Sequence, residues 1–224
     1  MIIVAGGIKG GSGKTTVAIN LAVMCATEGQ DVLLIDADDQ ETTSDFTLLR
    51  NETQQDKPSY TCIKLTGAAV RTETLRLAHK YETIIIDSGG RDTTSQRAAL
   101  TIADILLVPF VPRSFDVWTL EKVGNLVAEI KTINPSLKAY TFINRADPKG
   151  QDNNAAADVL KETDVLTFIN IRWGMRKAFG NAASSGLAVI ELKPKDQKAI
   201  HEVSMLFEYA FNVKVTPFIE GIGD

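Results

Sequence analysis

The segment at residues 9–16, KGGSGKTT, constrains this chain more than any other feature of its sequence. Its glycines allow backbone N–H groups to turn toward a triphosphate, and a helix that follows would present its positive N-terminus to the same charge. Lys14 is placed to reach the β- and γ-phosphates, and the Thr15 hydroxyl is a ligand for Mg²⁺. A strand-like run, Ile2 to Ala5, precedes the segment and a helical pattern follows it. The sequence therefore predicts a phosphate-binding loop between a strand and a helix.

Lys9 is one lysine more than such a loop needs. The general pattern G-x-x-x-x-G-K-[ST] would place a glycine at position 8, where this chain has Ile8. With a lysine ahead of the paired glycines, the segment resembles the deviant Walker A motif of the ParA/MinD ATPases. The resemblance implies that Lys9 crosses a dimer interface to the ATP held by the other subunit, and that Lys9 and Lys14 are both catalytic. It also implies the loop residues that bind ATP: Gly10, Gly11, Ser12, Gly13, Lys14, Thr15 and Thr16.

Short β-branched runs alternate with longer segments of helical period along the chain, which is typical of βαβ units and a mostly parallel sheet. Strands are predicted at 2–5, 32–35, 84–86, 105–108 and 140–143. Helices are predicted from 17 to a cap at Gly29, from Asp92, Thr93 or Thr94 to 102, over 120–130, and after Asp196. The pattern indicates a doubly wound α/β fold of the P-loop NTPase type, with helices on both faces and ligands at the carboxyl ends of the strands.

Composition excludes several other classes of protein. The chain has 224 residues and 44% apolar content without a composition shift, so we expect one domain over 1–224. The polar stretch 51–59 is predicted to be an exposed loop. Cys25 and Cys62 form no C-x-x-C pair. No secretory leader is visible, and no run approaches the roughly 18 apolar residues of a membrane span, so a cytoplasmic protein is expected.

Two carboxylates, Asp36 and Asp38, follow the strand predicted at 32–35 in the run DADDQ. The run resembles the DxDPQ element of the ParA/MinD family, with Asp39 in place of the usual proline. The resemblance implies that Asp36 helps to hold magnesium through water and that Asp38 positions or polarises the attacking water. An acidic turn after a strand is a common structural feature by itself. The Walker A motif one strand earlier favours the catalytic interpretation.

Asp87 ends the apolar run at 84–86 and forms a Walker B pattern, in which a strand delivers a carboxylate toward magnesium. The residues after it, SGGRD, replace the more usual D-x-P-P of the family with glycines that allow backbone N–H groups near the γ-phosphate. This loop is predicted to sense the nucleotide state. Arg91 either stabilises charge at the phosphates or pairs with a surface carboxylate.

Two later segments resemble the same family. The segment 109–116 is similar to the family's P-x-x-P-s-x-x-D element at the dimer face, although Ser114 and Asp116 are equally suited to starting a helix. Asn144 and Arg145 match the strand-end N-R pair that contacts adenine. Asn144 suits this role because one side chain offers both a donor and an acceptor.

The charge distribution bears on a DNA partner. The whole chain is acidic, with a formal net charge of −4, which argues against broad DNA affinity. Residues 172–198 nevertheless contain six basic and two acidic residues. A dimer would double this stretch, and a few phosphate contacts suffice for salt-dependent binding. A basic but merely solvated edge is the alternative. The candidate DNA-binding residues are Arg172, Arg176, Lys177, Lys193, Lys195 and Lys198.

Together these features resemble the small, ParF-like members of the ParA class, which partition DNA or position cargo. The resemblance implies that ATP and Mg²⁺ close a homodimer, that the dimer binds non-specific DNA, and that a partner stimulates otherwise slow hydrolysis. Because the loop begins at Lys9, we expect no N-terminal helix-turn-helix, so a separate centromere-binding or cargo-adaptor protein is implied. A cytoplasmic, nucleoid-associated protein is the expected result.

Four alternatives are weighed against this interpretation. A MinD-like membrane positioner needs a basic amphipathic terminal helix, whereas residues 218–224 contain acids and glycines. An iron-sulfur carrier needs paired bridging cysteines, which the chain does not have. A P-loop metabolic ligase would depend on a small acid substrate. A nucleotide-gated binding scaffold would show negligible ATP turnover.

Overall fold

The computed structural model describes residues 1–112, 117–147, 150 and 152–213, with only the backbone at 117 and 118. In this part of the chain, seven strands form one sheet in the order β3-β2-β4-β1-β5-β6-β7, and every neighbouring pair is parallel. The predicted doubly wound, parallel α/β fold is confirmed. The strands are β1 (Ile2–Ala5), β2 (Val32–Ala37), β3 (Thr61–Lys64), β4 (Thr83–Ser88), β5 (Ile105–Phe110), β6 (Lys138–Ala146) and β7 (Thr167–Gly174).

Helices cover both faces of the sheet. Those predicted after the phosphate loop, before residue 102, over 120–130 and after Asp196 are confirmed, and the chain forms others that lack a clear apolar period. Among the described residues the α-helices are α1 (Lys14–Thr27), α2 (Thr42–Thr53), α3 (Ala69–Leu77), α4 (Thr94–Leu100), α5 (Val117–Lys131), α6 (Asp152–Lys161), α7 (Lys177–Ala183) and α8 (Gln197–Phe211), and a short 3-10 helix (Ala78–Lys80) follows α3.

The predicted loop at 51–59 is partly wrong. Its residues are exposed apart from the half-buried Gln54, but α2 continues through Thr53, so the first three of them are helical. The Gln54 N–H donates to the Arg50 carbonyl at 2.8 Å and closes the helix there. The polar sequence did not indicate this because the helix is held by only a few buried side chains, among them Phe46 and Arg50.

The predicted helix ends have clear physical causes. Gly29 follows α1 with φ of 81°, a left-handed conformation that glycine adopts without steric cost. Asp196 accepts hydrogen bonds from the N–H groups of Lys198 (3.1 Å) and Ala199 (3.0 Å), which would otherwise lack partners at the start of α8. Of the three candidates for the cap of α4, Thr93 is the one that accepts from Gln96 N.

Alternating residues of the strands bury against two separate cores. Ile3 and Leu34 face the core that contains α1 and α8, whereas Val4 and Leu33 face the core that contains α4, α5 and α6. Trp173 is fully buried in the first core and stacks on Phe179 with ring centroids 5.2 Å apart. Each buried aliphatic side chain contributes about 1.5–3 kcal/mol, so the two cores stabilise the sheet that carries the residues at its edge.

The carboxyl ends of β1, β2 and β4 lie side by side, because β4 sits between the other two. Asp36 of β2 and Asp87 of β4 are direct register partners. Strand order reverses about this region, which is where doubly wound folds bind ligands. The sheet thus places the phosphate loop after β1 beside both carboxylates. Ser114 and Asp116 lie outside the described residues.

Candidate nucleotide-binding site

The phosphate loop joins β1 to the N-terminus of α1. Gly13 occupies the cap position of α1 with φ of 98°, a conformation that other residues rarely adopt. A Cβ atom at Gly13 would also lie only 2.1 Å from Asn144 Nδ2. The close approach of the two segments therefore requires glycine at this position. The loop directs the unpaired N–H groups at the start of a 14-residue helix into the cleft beside it.

Lys14 is buried, with 5% of its surface exposed, and its Nζ donates to the Lys9 carbonyl at 3.0 Å. Burial lowers the pKa of Lys14, while the nearby carboxylates of Asp87 and Asp38 raise it and partly offset that effect. A lysine held at the first helical residue and partly desolvated is well placed to meet phosphate oxygens. Lys9 is half-buried on the same loop.

Asp87 lies at the centre of a hydroxyl cluster. Its Oδ2 accepts hydrogen bonds from Thr15 Oγ1 (2.7 Å) and Thr43 Oγ1 (2.6 Å). Its Oδ1 is buried and has no hydrogen-bond partner among the described residues. Burial raises the pKa of Asp87 from 3.8 to about 6, the two hydroxyls oppose the shift, and Asp36 adds to it. An orphaned carboxylate oxygen beside a threonine hydroxyl is a donor set that suits Mg²⁺, so Thr15 and Asp87 fit the ion that the fold implies.

Asp36 is fully buried and holds the loop that follows β2. Its Oδ2 accepts from both the backbone N–H (2.8 Å) and the hydroxyl (2.7 Å) of Ser44, and its Oδ1 accepts from Asp38 N at 3.2 Å. Asp36 therefore orients the first turn of α2 and the backbone of Asp38. The metal role predicted for Asp36 stays a prediction.

Asp38 is half-buried and lines the cleft beside the glycines that follow Asp87. Its Oδ1 accepts from Gln40 N at 3.2 Å. The same oxygen would lie 3.2 Å from a Cβ atom at Gly89. The carboxylate thus faces the loop that was predicted to sense the nucleotide, a position from which it can accept a proton or orient a water molecule.

The loop after Asp87 lies directly on the phosphate loop. A Cβ atom at Gly90 would lie 2.7 Å from Gly10 Cα and 2.8 Å from Gly10 N, so the two backbones leave no room for a side chain. The buried Gln96 side chain lies between the same two loops and, with its amide nitrogen assigned to the side that faces the carbonyls, donates to Gly7 O (3.1 Å) and Gly89 O (3.2 Å). Displacement of either loop should therefore displace the other.

The structure places Asn144 beneath the phosphate loop. Its Nδ2 donates to the Ser12 carbonyl at 2.7 Å, and its Oδ1 accepts from Arg145 N at 2.9 Å. Asn144 therefore supports the loop with the amide that was predicted to contact adenine. Arg145 is exposed at the cleft and has φ of 53°, an uncommon conformation that often marks functional sites.

These parts surround an open cleft. Arg91 lines it as well and is exposed. Asp36 and Asp87 are buried at the strand ends that underlie it. The cleft brings together residues from the ends of four strands, β1, β2, β4 and β6, and from the loops that follow them. Its lining from the predicted set comprises Gly10, Gly11, Gly13, Lys14, Thr15, Thr16, Asp38 and Arg145.

Sequence reasoning missed Thr43, Ser44 and Gln96. Thr43 and Ser44 lie in the first turn of α2, where their hydroxyls donate to Asp87 and Asp36, respectively. Their signal was present as the run TTS shortly after the acidic residues, since hydroxyl side chains commonly bond at helix starts. Gln96 carries no comparable signal, because only the packing of α4 brings its amide between the two loops.

The candidate DNA-binding residues lie in two groups. Lys193, Lys195 and Lys198 border a shallow surface depression together with Ala178 and Asn181 of α7. Lys177 is exposed at the first residue of α7, so it lies beside this group. Arg176 differs from the lysines, because its guanidinium is bonded to the Glu202 carboxylate. Arg172 is exposed on β7 and donates to Asn154 at 3.1 Å.

No helix in the described part of the chain is long and apolar enough to cross a membrane. The same residues contain no cluster of three or more His, Cys, Asp or Glu side chains that could hold a metal ion. A Mg²⁺ ion held by Thr15 and Asp87 would therefore take its remaining oxygen ligands from the phosphates of a bound nucleotide.

A glycine loop at a helix N-terminus, a lysine that reaches into the cleft and a strand-end aspartate beside a threonine hydroxyl define a P-loop nucleotide-binding protein. Residues 2–186 match the CobQ/CobB/MinD/ParA nucleotide binding domain, and the chain belongs to this family. The ParA/MinD assignment made from the sequence is confirmed.

Individual relatives agree with this family. The chain is 22% identical over 202 residues to maintenance of carboxysome distribution protein A of Halothiobacillus neapolitanus, with 89% of this chain and 91% of that protein covered. It superposes on an ATP complex of a variant of Cyanothece McdA with a TM-score of 0.74, 18% identity, and coverage of 96% and 98%. It superposes on an AMPPNP-bound putative plasmid partition protein of Borrelia burgdorferi with a TM-score of 0.69, 20% identity, and coverage of 94% and 98%.

Proposed function

We propose that this protein is a ParA-type ATPase that positions DNA or another intracellular cargo. The observation that carries the proposal is the presence of two lysines, Lys9 and Lys14, on one phosphate loop, whose Thr15 hydroxyl donates to Asp87. An ordinary P-loop needs only the second lysine. The relatives support the assignment, since one is named for carboxysome distribution and a structural neighbour for plasmid partition.

The proposed reaction is hydrolysis of ATP to ADP and phosphate. Lys14 and the loop N–H groups bind the β- and γ-phosphates, and Thr15 with Asp87 holds the Mg²⁺ that neutralises them. Asp38 orients the attacking water from the side of Gly89. Asp36 keeps Asp38 in place through the 3.2 Å bond from Asp38 N. Lys9 of each subunit contacts the nucleotide of the other, so turnover requires a homodimer.

The proposed cargo attachment is through non-specific DNA. The lysine group on α7 and the loop before α8 would contact phosphates, which carry no sequence information directly. A centromere-binding or cargo-adaptor protein would stimulate hydrolysis and release the dimer. The protein would accordingly work in the cytoplasm on the nucleoid, and turnover without the partner would be slow.

The decisive experiment measures nucleotide-dependent DNA binding together with oligomeric state. Wild-type protein with ATP and Mg²⁺ should form a dimer in light scattering and retard long duplexes of any sequence, whereas ADP should support neither. Lys14→Ala serves as the control that cannot bind ATP. Failure to retard any long duplex even at low salt would refute the DNA mechanism. Binding to anionic vesicles instead would favour a MinD-like positioner, and turnover that requires a small acid would favour a ligase.

A further inference from the structure

A buried ion pair connects α2 to the segment 186–191. Arg50 is 3% exposed and Glu191 is 8% exposed at their side chains. Arg50 donates from Nη1 to Glu191 Oε2 (2.8 Å) and from Nη2 to Glu191 Oε1 (2.9 Å). The same two nitrogens donate to the carbonyls of Gly186 (3.0 Å) and Pro58 (2.9 Å). The guanidinium therefore connects Arg50 to Glu191, a residue 141 positions away in the chain.

The fit around this pair is close. A Cβ atom at Gly186 would lie 2.8 Å from Arg50 Cα, so α2 rests directly on the backbone of the segment. Glu191 Oε2 also accepts from Ala188 N at 3.0 Å and thereby closes the segment into a turn. Lysine could not replace Arg50 here, because it lacks the planar fork that makes two parallel bonds to a carboxylate.

The opposite end of α2 is bound to the nucleotide cleft. Thr43 bonds Asp87, and Ser44 bonds Asp36, both within the first turn of the helix. Arg50 follows Thr43 by about two helical turns, or roughly 10 Å. Hydrogen bonds fix the 12-residue α2 near both ends, so we expect a shift of the carboxylates at one end to displace Arg50 at the other.

The helix that carries the phosphate loop contacts the same segment. Asn20 of α1 donates from Nδ2 to the Thr16 carbonyl (2.7 Å) and accepts at Oδ1 from Val189 N (2.9 Å). Residues 186–191 are thus bonded to both helices that begin at the nucleotide cleft. The segment leads directly into the basic loop, defined as the loop 192–196 together with the first two residues of α8 (197 and 198), which carries Lys193, Lys195 and Lys198.

We infer that the Arg50–Glu191 pair transmits the nucleotide state of the cleft to the basic loop 192–198. Arg50 and Glu191 are not among the described residues that line the nucleotide cleft, so we assign them as positioning residues. The inference rests on the proposed function only in that the bound nucleotide is ATP and the ligand of the basic loop is a polyanion. Buried ion pairs are a poor source of stability, and replacing both partners with apolar residues is often neutral or stabilising. The pair is therefore better explained by the position in which it holds the segment 186–191 relative to α2.

The test replaces both partners in Arg50→Met/Glu191→Leu, so that no buried charge is left alone. The matched control is Arg76→Met/Glu73→Leu, which removes an exposed ion pair within α3. We expect the buried double variant to unfold cooperatively and to bind ATP as the wild type does. Hydrogen exchange is then measured over residues 186–198 with ADP and with ATP and Mg²⁺.

The wild type and the control should change their exchange over 186–198 when ATP replaces ADP, and the double variant should lose that change. Its ratio of DNA affinity with ATP to that with ADP should fall at least about tenfold. A double variant that keeps the ATP-dependent change would overturn the inference. If the double variant does not fold, Arg50→Lys is used, which keeps the charge but not the fork and should show the same loss in weaker form.

Failure of the inference is distinguishable from failure of the proposed function. A wild-type protein whose exchange over 186–198 responds to ATP, with the response lost in the double variant, supports the coupling even if no DNA is bound. A wild-type protein that binds DNA in response to ATP without any change over 186–198 refutes the coupling and leaves the proposed function standing.

Discussion

The Thr43 hydroxyl donates a 2.6 Å hydrogen bond to the same Asp87 oxygen that accepts from Thr15 at 2.7 Å. Hydroxyls from the starts of α1 and α2 therefore converge on one buried carboxylate. The other oxygen of Asp87 has no partner among the residues that the structure describes. This arrangement joins the phosphate loop, the Walker B strand and α2 at a single oxygen atom, and the burial of that carboxylate raises its pKa.

Asp87→Asn tests that behaviour in the absence of Mg²⁺. Burial raises the pKa of Asp87 to about 6, so the stability that its proton contributes is present below pH 4 and lost as the pH rises through 6. At pH 8 we expect asparagine to raise the free energy of unfolding by about 3 kcal/mol, because one pKa unit corresponds to ~1.4 kcal/mol. At pH 4 the two proteins should be equally stable.

Urea denaturation with a chelator at pH 4, 6 and 8 measures this difference. Asp158→Asn, at an exposed residue of α6, serves as the control and should change stability by less than about 0.5 kcal/mol at each pH. A constant difference between wild type and Asp87→Asn across the range would contradict the raised pKa. Magnesium affinity in the wild type should also weaken below pH 6, since the proton competes with the ion.

Replacement of Lys14 and replacement of Lys9 should impair different properties of the protein. Lys14→Ala removes a buried charge at the cleft, and we expect ATP affinity to fall by about 100-fold or more, because charge-assisted bonds contribute about 1.5–3 kcal/mol each. Lys9→Ala should bind ATP as a monomer with little change but lose hydrolysis and ATP-dependent dimerisation. Equilibrium nucleotide binding with light scattering separates the two, and an equal loss of affinity in both would contradict the cross-subunit role.

The Asp38→Ala variant should bind ATP and form a dimer, but it should hydrolyse ATP much more slowly than the wild type. Loss of a group that orients or deprotonates water typically slows a reaction by about 10²–10⁴-fold, whereas ATP affinity depends mainly on Lys14 and the loop N–H groups. Size-exclusion chromatography with ATP and Mg²⁺ should show a dimer that persists while the wild-type dimer decays. A variant that binds ATP normally yet stays monomeric would argue against this role.

Gly90→Ala tests the contact between the two loops at the cleft. Its Cβ would lie 2.7 Å from Gly10 Cα, so one backbone has to move. We expect ATP affinity to fall by about tenfold or more, since the loop N–H groups would be displaced from the phosphates. Gly124→Ala is the control, because its Cβ meets nothing within 4 Å and alanine stabilises a helix interior by about 1 kcal/mol. Unchanged ATP affinity in Gly90→Ala would show that the loops move independently.

The basic residues should differ in their effect on the salt dependence of DNA binding. Lys177→Ala, and Lys193→Ala with Lys195→Ala, should flatten the slope of log affinity against log salt by up to about 0.9 for each lost phosphate contact. Arg176→Ala should flatten it less and should lower stability, because it leaves the partly buried Glu202 without its arginine. Equal slopes for Arg176→Ala and Lys177→Ala would contradict this distinction. ATP affinity and dimerisation are measured on the same preparations.

Much of the fold was predictable because its signals are local. Apolar β-branched runs predicted β1, β2, β4, β5 and β6, and the caps at Gly29 and Asp196 followed from the preferences of single residues. β3 and β7 were not predicted, since they lie at the edges of the sheet and mix exposed with buried positions. α2 was not predicted because polar residues cover most of it.

The sequence by itself determined the phosphate loop, the order of the carboxylates that follow it and the family of the protein, since each depends on residues that are adjacent in the chain. Only the tertiary structure decided that Thr43 meets Asp87, 44 positions away, and that Arg50 meets Glu191, 141 positions away. Such pairs depend on which strands become neighbours and on how the helices rest on the sheet. No local spacing encodes those distances, because they arise from the burial of two cores on opposite faces of the sheet.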